Sequence, residues 1–383
     1  MTASAALARR LLHTVRQQDF ASTPDAMRGG RPLAHFPSID LALAVFTPGR
    51  APQWANVLFS REFPQGIVAD TGPNAGAVRN VAYVADQRNA AFESFLWWPD
   101  SDWSRLRFEP LAGRGPQRFV LPYPASLFKL MVAVGIAIGV DERRLDWPAQ
   151  AMEDMLCASS NDATTVLVEQ LHRHALLAPL HARFAGLGLA TLRLDGTQPD
   201  GGWGNRSGGG VGRLQMSAWD TLRLLWLLDA DAPPAPWLPR GTRLVSDAAR
   251  QRLRGWLDGQ GLHEILSSGV LAGVPGWVRG IPARVPPHWI GADGGVQVGD
   301  ERYPPDIRAA NARAEVQFAH KTGTTENYAS DAGIVRGLGG RPRHYLVALV
   351  SNLGTRYSPG PPCATTWKLP ALGAAIDALV AKL

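Results

Sequence analysis

The sequence predicts an α+β fold: an antiparallel sheet flanked by helices and joined to a mainly helical part. Three observations predict it. Ile39 to Thr47 is a strongly apolar run of strand length. Ala125 to Val140 is almost wholly apolar, about four turns long and free of turn residues until Asp141, which reads as a helix buried on all sides. The C-terminal third carries short runs of strand periodicity, Glu315 to Lys321, Asp331 to Val335 and Tyr345 to Asn352, separated by turn residues.

The remaining elements follow in order. Residues 3–18 read as an amphipathic helix, and Arg9 and Arg10 interrupt its apolar positions, so it makes a poor secretory signal. Val81 to Trp98 alternates in a strand-like way and can supply one or two strands. Residues 148–157 and 162–174 read as two helices joined by the polar turn Ser159-Ser160-Asn161. Residues 195–213 are rich in Gly, Asp and Asn without periodicity and read as a long surface loop. Ser217 to Leu228 and residues 244–267 read as helices, residues 268–313 give no periodic signal, and Leu369 to Leu383 closes the chain as an amphipathic helix. The expected organisation is an N-terminal helix and lead-in over 1–38, then one domain over 39–383. In that domain 39–122 and 229–383 form the α/β part and 123–228 the helical part.

The chain has 383 residues, 45% hydrophobic and 19% charged, which excludes disorder or a coiled coil as a whole-chain reading. No stretch has the roughly 18 uncharged apolar residues that span a bilayer. The net charge is +6, but the arginines are scattered and match no reader motif, so nucleic acid is not an expected partner. Cys157 and Cys363 fit no metal-ligand spacing, and whether they pair is left open. Only four of the 39 basic residues are lysines: Lys129, Lys321, Lys368 and Lys382. Where only positive charge is needed this chain uses arginine, so a retained lysine points to a place where arginine would not do. Lysine loses its proton when buried and arginine effectively does not.

Two of those lysines fall in short motifs. In Ser126-Leu127-Phe128-Lys129 a helix puts hydroxyl and amine on one face, with the serine in the first turn. A serine hydroxyl needs a nearby base, and a lysine buried among Leu130, Met131 and Val132 can serve. Ser159-Ser160-Asn161 reads most simply as a helix cap. Its functional reading gives Ser159 a proton-shuttle role and Asn161 a substrate carbonyl. Lys321-Thr322-Gly323-Thr324 ends a strand, where the glycine lets another backbone or a ligand come close and the lysine and hydroxyls present donors.

Ser-x-x-Lys, Ser-x-Asn and Lys-Thr-Gly in this order resemble the signature set of the penicillin-recognising serine hydrolases, the β-lactamases and D-alanyl-D-alanine peptidases. Tyr123 to Lys129 is similar to the nucleophile segment of class A β-lactamases, Ser217-Ala218-Trp219-Asp220 to the helix after their omega loop, and Asp331 to Val335 to the strand after Lys-Thr-Gly. The resemblance implies a five-stranded antiparallel sheet flanked by helices, an all-helical subdomain and a site between them. It implies that Ser126 is acylated, that Lys129 activates it and that Ser159 passes a proton to the leaving nitrogen. Asn161 would bind the acylamide side chain, Lys321 with Thr322 and Thr324 would hold the substrate carboxylate, and the N–H groups of Ser126 and Thr324 would form the oxyanion hole. The substrate implied is a β-lactam or another small peptide or amide, handled by a monomer without cofactor or metal.

Three departures qualify the likeness. Only 33 residues separate Ser126 from Ser159, and residues about 280–313 look like an insertion. Residues 185–217 contain no glutamate: Arg193 to Pro199 resembles the omega-loop segment but puts Gln198 where the deacylating glutamate belongs, with Asp195 nearby. A glutamine takes no proton from water at neutral pH. Acylation with impaired or unusual deacylation is therefore expected. The alternatives are a D-Ala-D-Ala carboxypeptidase or penicillin-binding protein, an intracellular amide or ester hydrolase, or a binder that has lost turnover. The compartment is cytoplasmic if Met1 is the native start and periplasmic or secreted if a signal was trimmed. His263 and His320 read as structural histidines, His320 being placed to tune Lys321.

Overall fold

The computed structural model describes residues 2–86, 95–98, 100–203, 213–360 and 363–383. Its elements run as follows: α1 (Ala3–Arg16), β1 (Pro24–Asp25), β2 (Arg31–Pro32), β3 (Ile39–Val45), β4 (Gln53–Phe59), β5 (Ile67–Val68), β6 (Val81–Ala85), β7 (Glu109–Pro110), β8 (Gln117–Leu121), α2 (Lys129–Asp141), α3 (Ala149–Cys157), α4 (Asn161–Arg173), α5 (Leu177–Gly186), β9 (Arg193–Asp195), β10 (Arg213–Gln215), α6 (Ala218–Leu228), α7 (Asp247–Asp258), β11 (Val296–Val298), β12 (Glu301–Tyr303), α8 (Arg308–Asn311), β13 (Val316–Thr324), β14 (Ala329–Gly337), β15 (His344–Ser351) and α9 (Lys368–Val380).

The main sheet is antiparallel throughout in the order β13-β14-β15-β3-β4-β5. It has six strands where five were expected. The sixth, β5, is two residues long and pairs Val57 with Val68 and Leu58 with Ile67. β6, β7 and β8 form a separate small sheet in which β6 and β8 run parallel.

The period-2 alternation of a strand explains how the main sheet carries two different faces. Leu41, Leu43, Phe318, Val335, Tyr345, Val347 and Leu349 point to one face, where they pack with Leu7, Leu11 and Val15 of α1 and Leu369, Leu372 and Ile376 of α9. The other face mixes Ala42, Ala44, Ala319, Ala332 and Ala348 with Leu58, Ile334, Leu346 and Val350, and takes Leu222 and Leu225 of α6. Alanines let helices and the turn before α2 approach the strands closely. The same mixture explains why β3 reads as a continuous apolar run: both its faces are covered. The lead-in helix α1 is thus part of the sheet layer, and α6, assigned by the sequence to the helical part, lies against β3, β14 and β15.

The expected helices over 3–18, 148–157, 162–174 and 217–228 are found within a few residues. Helix 244–267 is found only as α7: the chain leaves the helix at Gly259, and 259–267 crosses to the edge of the sheet, where Asp331 accepts the N–H of Leu266 at 3.0 Å. The stretch 268–313, which gave no periodic signal, forms the β11–β12 hairpin and a small core of its own, in which Val270, Leu271, Val285, Val296, Val298 and Ile307 pack with Leu262 and Cys363. Within the expected loop 195–213, Arg193 to Asp195 pairs with Arg213 to Gln215, and residues 204–212 lie outside the described residues. Cys157 and Cys363 are both free and buried: one thiol donates to Trp256 O at 3.1 Å and the other to Thr365 O at 2.6 Å. No described helix is long and apolar enough to cross a membrane.

Candidate active site

Three chain segments meet where the helical part faces β13. The first is the turn Ala125–Phe128, a single 3-10 turn that runs directly into α2. Ala125 sits at φ 49°, a left-handed conformation rare for a residue with a side chain. Ser126 follows it and is part-exposed to a cleft, while Leu127 and Phe128 turn into the core. The ring of Phe128 packs against Trp203 with centroids 5.4 Å apart.

The second segment is Ser159-Ser160-Asn161. The capping reading holds for Ser160, whose side chain accepts the N–H of Ala163 at 3.1 Å and starts α4. Ser159, at φ 60°, is a second left-handed non-glycine residue, so strain of order 1–3 kcal/mol per residue is held at both motifs. The third segment is the end of β13, where Lys321 pairs in register with Ala332 and Gly323 with Ser330.

The two lysines converge on Ser159. Lys129 Nζ donates to Ser159 O at 2.5 Å, to Asn161 Oδ1 at 2.9 Å and, at 3.3 Å, to Ser159 Oγ and Ser160 O. Lys321 Nζ donates to Ser159 Oγ at 2.9 Å and to Thr322 O at 2.9 Å. Both side chains are completely buried. Burial, and then the neighbouring Lys321 charge, bring Lys129 down to about 6. Burial likewise brings Lys321 down to about 7, opposed by Asp331 and Glu264. A neutral Lys129 amine has two N–H bonds, which the two shortest contacts take up. The four contacts of Lys129 Nζ are all with residues 159–161, and among the described residues no hydrogen bond joins it to Ser126.

Gly323 allows the approach between β13 and the nucleophile turn. A Cβ there would stand 2.6 Å from the backbone N of Ser126 and 2.7 Å from that of Leu127, closer than real side chains come. The two residues whose N–H groups the resemblance would give to an oxyanion, Ser126 and Thr324, lie at this junction and both line the cleft. Behind β13, His320 Nδ1 bonds Asp331 Oδ1 at 2.8 Å and its ring lies 4.5 Å from that of His263. Burial keeps both imidazoles well below their ordinary range, so both are neutral. Among the described residues no group of three His, Cys, Asp or Glu side chains is placed to hold a metal ion.

The cleft, about 1240 Å³ including space open to solvent, is lined by Ser126, Ser159, Asn161, Thr322 and Thr324 among others. Lys129 and Lys321 reach it from beneath through Ser159. Gln198 and Asp195 are not among the lining residues. The Gln198 amide donates to Gly196 O at 3.2 Å, and Asp195 pairs with Arg193 at 2.7 Å. Sequence reasoning missed the other polar lining residues, Glu264, Glu301, Arg302, Tyr303, Thr325 and Glu326. Glu264 lay inside a stretch read as helix and Tyr303 in one without periodicity. An available signal was a glutamate flanked by Leu262 and His263 on one side and Ile265 and Leu266 on the other, an acid in a run that must be buried.

No protein-family model matches the chain, and no curated protein does. Among solved structures it is similar to a β-lactamase from Sphaerobacter thermophilus (TM-score 0.47, 11% identity, 98% of each chain). It is also similar to a β-lactamase from Desulfarculus baarsii (TM-score 0.44, 14% identity, 99% of each chain). A third is PBP-A, covered over 68% of this chain and 82% of that one (TM-score 0.40, 15% identity).

Proposed function

We propose that this protein is a serine hydrolase of the penicillin-recognising kind, which forms an acyl-enzyme on Ser126 with an amide or ester carbonyl, β-lactams among them. The observation that carries the reading is the convergence of two buried lysines on one serine hydroxyl beside Ser126. A buried amine next to a hydroxyl at a helix start is the arrangement that acyl transfer needs.

The proposed steps are these. Lys129 Nζ takes the proton of Ser126 as Oγ adds to the carbonyl carbon. The negative charge then forms at the junction of Ser126 and Thr324, where the start of α2 favours it. Ser159 gives its proton to the leaving nitrogen and takes one back through the lysines. The C–N bond breaks and the acyl group stays on Ser126. Asn161, already held by Lys129, is placed to turn its amide toward the acyl side chain. Water then cleaves the ester, a half-reaction expected to be slow because Gln198 stands where the resemblance puts the deacylating glutamate.

Intact-mass spectrometry with benzylpenicillin and its methyl ester tests the reading. An adduct of the whole antibiotic that persists for minutes, absent in Ser126→Ala, is expected. No adduct with either compound would overturn it. Gln198→Glu is expected to leave the lifetime of the adduct within about threefold, since that side chain is turned to Gly196. A tenfold or greater shortening would put residue 198 back at the reacting centre.

A further inference from the structure

We propose that this chain carries a second ligand site, separate from the catalytic cleft, which binds a small aromatic anion by its phosphate or carboxylate group. The site is the pocket where the lead-in segment, residues 25–38, meets the start of β3, the end of β15 and the stretch 97–103. It holds about 450 Å³ counting space open to solvent, and its inner part has room for only a few atoms. None of its lining residues lines the catalytic cleft, so it stands whether or not Ser126 is acylated.

The charges of the pocket do not cancel. Three guanidiniums line it, those of Arg28, Arg61 and Arg356, brought together from three distant parts of a chain whose arginines look scattered in sequence. Asp25 is the one acid among the described lining residues. Arg356 takes it up with two hydrogen bonds of 2.6 and 2.5 Å, and that pair is neutral. Arg28 donates to Pro32 O, and Arg61 to Trp98 O and Ser101 O. Neither has a carboxylate partner among the described residues. A backbone carbonyl fixes a guanidinium in place and leaves its charge unanswered. Two positive charges therefore remain over this pocket.

Unpaired arginines are ordinary on the surface of a chain with a net charge of +6. What sets this pair apart is the concave, aromatic-sided place in which it stands. Arg61 lies 4.9 Å over the ring of Trp103, and Trp103 meets Trp97 edge to face at 5.8 Å. Phe36 and Tyr357 also line the pocket. Stacking on an indole holds a guanidinium flat, which suits it to grip two oxygens of one phosphate or carboxylate. The two strand ends supply neutral groups. Asn352 spends its Oδ1 on the N–H of Ser38 at 2.8 Å, and its own amide N–H groups make no hydrogen bond among the described residues. The buried Ser38 hydroxyl has no partner. Charged donors, a neutral amide donor and flanking rings are the fittings of a site for an aromatic anion.

Isothermal titration calorimetry at neutral pH and low salt, with phenyl phosphate, benzoate and inorganic phosphate, tests this. One saturable site is expected, weakened by added salt. Phenyl phosphate is expected to bind at least about fivefold more tightly than inorganic phosphate, which has no ring to place against the aromatic sides. Arg61→Met is expected to weaken phenyl phosphate by at least about tenfold. Arg28→Gln, on the part-exposed lead-in, is expected to weaken it by about fivefold and carries the test if Arg61→Met does not fold. Arg9→Gln, on the exposed face of α1, is the control and is expected to change binding by less than about twofold. Phenyl phosphate tighter than benzoate assigns the site to a phosphate, and the reverse order, if Arg61→Met also removes it, assigns it to a carboxylate. No saturable binding of any of the three overturns the inference. Binding that both arginine variants leave untouched also overturns it, since the anion then sits elsewhere, the catalytic cleft included. Labelling of Ser126 by benzylpenicillin is expected to stay within about twofold in Arg61→Met, so failure here leaves the acyl-enzyme reading standing.

Discussion

Lys129→Arg is expected to lower the rate of Ser126 acylation by about a thousandfold while the protein stays folded, read as the first-order appearance of the adduct. The substitution keeps a positive charge and a long side chain and removes one property, the capacity to lose a proton near neutral pH. Lys129 sits with no exposed surface under Ser159, at about 6 rather than its ordinary 10.5. Arginine in that place would stay charged, hold the carbonyls of Ser159 and Ser160 and offer Ser126 no lone pair. Lys129→Met separates charge from basicity and is expected to be equally slow. It also removes a pH dependence of stability: between about 6 and 10.5 the unfolded chain carries a proton that the folded Lys129 lacks, so stability from this residue rises with pH across that window. Lys368→Arg is the control. Lys368 donates to Ser22 Oγ at 2.5 Å on the surface, and its replacement is expected to leave acylation within about twofold.

Gly323→Ala is expected to slow acylation by about a hundredfold and to lower stability by about 1–3 kcal/mol in thermal unfolding. Its Cβ would stand 2.6 Å from Ser126 N and from Ser330 Oγ, and 2.7 Å from Leu127 N. Two of these are backbone atoms of the nucleophile turn and cannot rotate away. The third belongs to a hydroxyl that donates to Pro124 O at 2.5 Å and so ties the same turn to β14. Relief must come from moving Ser126 relative to the end of β13. Gly255→Ala, in α7 with nothing near its Cβ, is the matched control. It is expected to be neutral or stabilising by about 0.5–1 kcal/mol.

The fold was legible where periodicity is strong. β3 and α2 announce themselves because each is almost wholly apolar, and each proves to be buried nearly throughout. The C-terminal strands were placed by alternation, and their register then follows from the two-faced sheet. The three motifs were legible as words, since four lysines in the chain made Lys129 and Lys321 conspicuous. What the words could not give was conformation. Ala125 and Ser159 are held at positive φ by tertiary packing, which no local preference of alanine or serine predicts. Gln198 was aligned by its neighbours in sequence alone, while the turn that holds it depends on Gly201, whose Cβ would lie 2.2 Å from Thr165 O of α4, a contact no local pattern announces. The contact between Glu264 and Tyr303 was invisible because the two are 39 residues apart and meet only through the core of an irregular segment.

The dependence of acylation rate on pH, measured with the methyl ester of benzylpenicillin so that the substrate itself does not titrate, tests most directly whether a neutral buried lysine activates Ser126. The rate is expected to rise as Lys129 loses its proton, with a midpoint near 6 and a plateau above it. A rate that climbs steadily with pH toward the ordinary lysine range, or one that does not change between pH 5 and 9, would contradict a neutral Lys129 as the base.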